Sequence, residues 1–98
     1  MIPKFSIWDM DKTLCIGDSY TPEQCLVAEP IPEYVEKAKK RYETSIVMIY
    51  TARKDHLIPA TFEWLRKHDI RWHWFSNIKV PLMDGEYVDT DSVHPKDL

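Results

Sequence analysis

Ile46-Val47-Met48-Ile49-Tyr50 is an unbroken apolar run rich in β-branched residues. A strand with one wet face alternates apolar and polar residues. A strand without alternation reads as buried on both faces, as in a parallel sheet. Parallel neighbours cannot be joined by a tight turn and need a crossover, usually a helix. The flanking sequence supplies such crossovers. Tyr34, Val35, Ala38 and Tyr42 recur at helical spacing between Pro32 and Tyr42, and Pro32 suits a first helical turn. A second helix is predicted from near Leu57–Pro59 to about His68, burying Phe62, Leu65 and Trp64. Phe5–Trp8 reads as a strand before these crossovers, with Phe5 and Ile7 on one face. Ile70–Phe75 reads as a half-buried strand after them, because Ile70, Trp72 and Trp74 alternate. Asp84-Gly85 is a turn signal and Glu86–Val88 a short fourth strand. Cys15–Pro30 reads as a loop, punctuated by Gly17, Asp18, Ser19, Thr21, Pro22 and Pro30.

This order predicts one α/β domain over residues 1–98: a three-layer, Rossmann-like fold with a mostly parallel sheet of about four strands. A chain of 98 residues buries about two-thirds of its unfolded surface, enough for one modest core. The apolar fraction of 44% favours a packed core over disorder. A formal charge of −3 gives no global attraction to nucleic acid or an anionic membrane. No apolar run approaches the ~20 residues of a membrane span. The N-terminus shows no basic segment followed by an apolar one. A cytoplasmic protein without a membrane partner is expected. Cys15 and Cys25 have no CxxC or zinc-ligand spacing and read as free thiols in a reducing compartment.

Ligands of parallel sheets bind at the carboxyl ends of the strands, and here those ends carry chemistry. The first predicted strand runs into Asp9-Met10-Asp11-Lys12-Thr13. Two carboxylates at a buried strand end are costly to desolvate without a positive partner, and a hard cation with oxygen ligands is the usual one. The second strand ends Tyr50-Thr51-Ala52-Arg53. A hydroxyl there can hydrogen-bond a phosphoryl oxygen. Beyond the third strand stands Lys79, and beyond the fourth stand Asp89 and Asp91. Taken singly, each has a plain structural reading: an acidic turn, a loop cap, or a solvated cation.

Taken together, and in this order, they resemble the motifs of the haloacid dehalogenase (HAD) superfamily of phosphotransferases. Asp9-x-Asp11-x-Thr13 matches its Asp-x-Asp-x-Thr signature, and the likeness runs from Phe5 to about Pro95. Two departures stand out: Lys12 replaces a common Gly, and Thr90 stands where a second acid usually follows Asp89. The resemblance implies an HAD-type phosphatase: Asp9 as nucleophile, Asp11 as general acid/base, and Thr51, Arg53 and Lys79 on the phosphoryl group. It implies Mg²⁺ held by Asp9, the backbone carbonyl of Asp11, and Asp89, with Asp91 as the alternative ligand. The acid role of Asp11 calls for an environment that favours its neutral form. Cap insertions usually select the substrate in this family, but Ile16–Pro30 and Ile78–Gly85 are too short for one. An open site of that kind suits a large phosphorylated substrate, such as a nucleic-acid end or a phosphoprotein, or a homo-oligomer that lends a cap. The alternative is a catalytically weak binding or regulatory module that keeps the metal site. A receiver-like phospho-acceptor fits less well, because its hydroxyl and Lys come from later strands.

Other features carry less. Trp72, His73 and Trp74 suggest base stacking, but strand alternation explains them first. Lys37, Lys39, Lys40 and Arg41 are interleaved with Glu33, Glu36 and Glu43, as on a solvated helix face. His56 and His94 fall near the predicted site loops without metal-ligand spacing.

Overall fold

β1 (Lys4–Asp9) and β2 (Ser45–Tyr50) lie side by side in a parallel sheet, Phe5 opposite Ile46 and Asp9 opposite Tyr50. β3 (Trp74–Ser76) extends the sheet beyond β2, with Trp74 opposite Met48. The backbone of β4 (Gly85–Val88) runs parallel along the other side of β1, giving the order β3-β2-β1-β4. These positions come from a computed structural model that describes residues 4–78 and the strand at 85–88. Lys79, Asp89, Asp91 and His94 lie outside the described residues.

The helices are α1 (Pro22–Val27), α2 (Pro32–Thr44) and α3 (Ile58–Lys67), the last entered through a 3₁₀ turn at Asp55–Leu57. The crossovers β1–α2–β2 and β2–α3–β3 step the same way across the sheet. Right-handed crossovers that step the same way put their helices on one face. The core agrees: Trp8, Val47 and Ile49 share a cluster with Val35 and Ala38 of α2 and Trp64 and Leu65 of α3. Ser6 lies on that face too, and its Oγ accepts the indole N–H of Trp8 at 2.8 Å. Ile7 and Met48, on the opposite face, are buried as well, which explains why β2 shows no alternation. Of the two helix layers expected from the sequence, the described residues contain one. Among them, no helix is long and apolar enough to cross a membrane.

Two other expectations need correction. The stretch read as a loop, 15–30, contains α1. Pro22 sits in its first turn, and Thr21 caps it by accepting the Gln24 amide at 3.2 Å. Its Cys25 packs against Leu57 and Ala60, and the Trp64 indole donates to the Ala28 carbonyl at 2.8 Å. The strand expected at Ile70–Phe75 is shorter and later, at Trp74–Ser76. Ile70 instead closes α3: its amide donates to Leu65 O at 2.9 Å and that of Asp69 to Arg66 O at 3.1 Å. This is a Schellman closure, with Asp69 in the left-handed region at φ 58°. Trp72 stacks on Phe62 at 5.4 Å, while Trp74 is 52% exposed.

Candidate functional site

Asp9 is the last residue of β1, and its register partner Tyr50 ends β2. Asp9 and Thr51 therefore begin neighbouring loops about 5 Å apart along the sheet's hydrogen-bonding direction. The Met10 amide donates to Asp9 Oδ1 at 2.9 Å and orients the carboxylate. The chain then turns sharply. The amides of Thr13, Leu14 and Cys15 converge on the Met10 carbonyl at 3.3, 2.9 and 3.2 Å. Lys12 makes this turn at φ 67°, a left-handed conformation that favours glycine. A side chain there costs about 1 kcal/mol. The turn aims Asp11 at the end of β2.

Arg53 meets it there. Nη2 donates to Asp11 Oδ1 at 2.7 Å, and Nε reaches Oδ1 at 3.3 Å and Oδ2 at 3.2 Å. Nη1 donates to Thr61 Oγ1 at 2.9 Å, and the Thr61 hydroxyl in turn donates to Leu57 O at 2.8 Å. The Arg53 side chain is 2% exposed and that of Asp11 17%. Burial opposes the Arg53 charge, but hydrogen bonding and Coulomb attraction from Asp11 outweigh it and hold the guanidinium above its ordinary value. Two sequence expectations meet this geometry. Arg53, expected against substrate or solvated in a loop, has its planar fork taken up inside the protein. Asp11, expected as the general acid/base, receives N–H donors from Arg53 at both oxygens.

Thr51 is fully buried, and its Oγ1 accepts the Arg53 amide at 3.2 Å. Its own amide donates to Ser76 O at 3.1 Å, tying the β2 and β3 ends together. Asn77 closes the same edge, donating to Arg53 O at 3.3 Å and to Asp55 Oδ1 at 2.6 Å. Thr51 thus serves as the loop cap, and Arg53 is the residue that the capped loop presents to Asp11. Thr13, last in the signature, is buried, and its Oγ1 has no hydrogen-bond partner among the described residues.

Cys15 is a buried free thiol beside this pair, as Cys25 is beside α3. Burial, with the nearby Asp11 carboxylate, pushes the Cys15 thiol up to about 12. It is a structural thiol at neutral pH, close to Met10 O at 3.6 Å and to Arg53 Nη2 at 3.6 Å. Sequence reasoning gave Cys15 and Thr61 no place in the site. A lone Thr inside a helix and a lone Cys in a turn carry no spacing signal.

For a divalent cation, the described residues supply two oxygen donors of the kind a hard ion takes: the Asp9 carboxylate and the Asp11 carbonyl. Among the described residues, no group of three or more His, Cys, Asp or Glu side chains comes together. Asp89 and Asp91, which the sequence suggests as further ligands, and Lys79 lie outside those residues. A separate open cleft of about 630 Å³ is lined by Tyr42, Arg66, Asp69, Ile70, Arg71 and Trp72. It lies where α2 and α3 end, ahead of the strands they lead into, and Asp9 and Thr51 stand at the other, carboxyl ends of β1 and β2.

No family model matches the chain, and no curated protein matches it. Among solved structures, a structural-genomics target from Vibrio cholerae is similar. The TM-score is 0.72, with 23% identity over 96% of this chain and 85% of that one. At that identity the likeness is one of fold: a small α/β chain with a parallel sheet and helices.

Proposed function

We propose that this chain is a Mg²⁺-dependent phosphohydrolase of the HAD type that cleaves a phosphomonoester through an aspartyl-phosphate. The observation that carries this reading is the convergence of Asp9, Asp11 and Thr51 at adjacent parallel strand ends, with Asp11 fixed by Arg53. In this reading Asp9, at the strand end and oriented by the Met10 amide, attacks phosphorus. Asp11, two residues on, handles the proton of the leaving oxygen and later that of water. The Thr51 hydroxyl and Lys79 hold the transferring oxygens. Mg²⁺, held by Asp9, the Asp11 carbonyl, and Asp89 or Asp91, would offset the repulsion between carboxylate and phosphate.

The short 16–30 segment, with α1 folded onto α3, supplies no cap. The reading therefore favours a large phosphorylated substrate, such as a nucleic-acid end or a phosphoprotein, or a cap lent by a second copy in a homo-oligomer. A cytoplasmic location goes with the reduced thiols.

One observation favours a second reading, a binding or regulatory module with little turnover. Asp11 already has a charge partner in Arg53, so its proton-transfer role requires work against that pair. The test is hydrolysis of an aryl phosphate with and without Mg²⁺, alongside Asp9→Asn. Magnesium-dependent turnover lost in the variant supports the enzyme; metal binding without turnover of any phosphoester supports the module.

A further inference from the structure

We propose that the cleft where α2 and α3 end binds single-stranded nucleic acid, Arg66 and Arg71 taking its phosphates and Trp72 a base. In choosing among the large substrates of the phosphohydrolase reading, the inference rests on that reading. The cleft is open, holds about 630 Å³, and mixes cations with rings in its wall: Tyr42, Arg66, Arg71 and Trp72, with one acid, Asp69. Arg71 lies over the Tyr42 ring at 4.6 Å, and His73 stacks on the same ring at 4.2 Å. Arg66 lies 6.0 Å from the Phe62 ring, on which Trp72 stacks at 5.4 Å. Both arginines are exposed, and Trp72 and Tyr42 are half-buried. A guanidinium laid on a ring keeps its planar N–H fork for an anion and loses less freedom on meeting one. Helix carboxyl ends favour cations, which accounts for the charges here but not for the rings beneath them.

The surface around the end of α3 is electropositive, although the chain carries −3 overall. Besides burial, Lys67 and Lys39 lower the His68 pKa against the pull of Asp69. Strand alternation does not explain Trp72, because β3 begins only at Trp74 and the Trp72 indole lines the cleft. A phosphopeptide would use the arginines and leave the rings without a role; a nucleic acid uses both. The path out of the cleft favours a strand over a single nucleotide. β3 follows directly, is the edge of the sheet, and ends at Ser76, whose carbonyl accepts the Thr51 amide at 3.1 Å. Trp74, 52% exposed, offers a second indole beside that edge. The six residues of β2 separate the cleft from the strand carboxyl ends by roughly 17 Å. Several nucleotides laid along the edge bridge that distance; one does not.

Binding is measured by fluorescence anisotropy of a labelled oligothymidylate of about 12 nucleotides, without Mg²⁺ so that nothing is hydrolysed. Two phosphates on two arginines predict a slope of about −1.4 in log K against log salt, reduced to about −0.7 by Arg66→Gln or Arg71→Gln. Trp72→Leu should weaken binding at least about fivefold with the slope unchanged. Lys40→Gln, which removes an exposed charge of α2 outside the cleft wall, should change neither. Circular dichroism confirms folding; the arginines are exposed, so the slope decides even if Trp72→Leu does not fold. With Mg²⁺, a terminally phosphorylated oligonucleotide should have a lower KM than a phosphorylated mononucleotide. Arg71→Gln should remove that advantage and leave aryl phosphate turnover unchanged. Equal affinity for mononucleotide and oligonucleotide, an equal loss in Lys40→Gln, or tighter binding of a phosphopeptide of the same charge would overturn the proposal. Strand binding of the expected slope without turnover of any phosphoester would support the cleft and remove the phosphohydrolase reading. Magnesium-dependent aryl phosphate turnover without strand binding would keep that reading and overturn this inference.

Discussion

Arg53 Nη2 donates to Asp11 Oδ1 at 2.7 Å, joining the loops after β2 and β1 across 42 residues of sequence. One partner is almost wholly buried and the other mostly so. Removing one member of a buried pair strands the other's charge, at a cost of about 3–5 kcal/mol. Arg53→Met should therefore lower the unfolding free energy by about 3 kcal/mol, read from urea denaturation. The double variant Asp11→Leu/Arg53→Met should recover part of that loss. A double loss equal to the sum of the single losses would show that the two residues are not coupled.

Lys12 and Asp69 hold left-handed backbone at φ 67° and 58°. Glycine adopts that region without strain, so Lys12→Gly and Asp69→Gly should each stabilise by about 0.5–1 kcal/mol. Lys12→Gly gives up an ion pair with Asp18 at 3.5 Å, but both side chains are exposed and such a pair contributes little. Thermal melting checks both variants and their near-additivity. A drop in Tm on either change would contradict the strain argument.

Thr13 buries a hydroxyl without a hydrogen-bond partner among the described residues. Valine has the same shape and nothing to desolvate. Thr13→Val should be neutral or stabilise by about 1 kcal/mol, measured by denaturant midpoint. Clear destabilisation would mean that the hydroxyl is bonded in solution.

Burial lowers the His68 pKa, Lys67 and Lys39 push it the same way, and Asp69 opposes them. The unfolded chain keeps the ordinary value of 6.5 and so binds the proton more readily than the folded one. This group's contribution to stability is complete above that ordinary value. It declines as pH falls from there through the lower folded value, and is constant below it. His68→Gln should remove that slope from urea midpoints taken at about pH 5–8. An unchanged slope would sink the assignment.

Cys15 and Cys25 are both buried, and Cys15 is pushed up to about 12. Thiol-specific reagents should label neither in the native protein and both in denaturant. Rapid native labelling of Cys15 would contradict the packing described around Asp11.

Local chemistry made some of this legible and hid the rest. Ile46–Tyr50 and the Pro32–Tyr42 spacing are strong because burial on both faces of a strand, or along one helix stripe, writes itself into consecutive residues. The α1 helix was hidden by its own cap: Thr21 and Pro22 look like loop residues, yet Thr21, three residues before Gln24, is a helix-start signal. Ile70 misled because it alternates with Trp72 and Trp74 while its backbone closes α3. Asp9, Asp11 and Thr51 are legible as strand-end residues. That Arg53 turns inward is not, because the deciding partners, Asp11 and Thr61, lie on separate segments.

The central claim is that Asp9 becomes phosphorylated. Rapid acid quenching of the protein during turnover of an aryl phosphate with Mg²⁺, followed by peptide mass spectrometry, tests it directly. The account predicts a phosphoryl adduct on Asp9 that hydroxylamine removes and that Asp9→Asn does not form. Magnesium-dependent turnover with no adduct on Asp9, or an adduct on another residue, would contradict it.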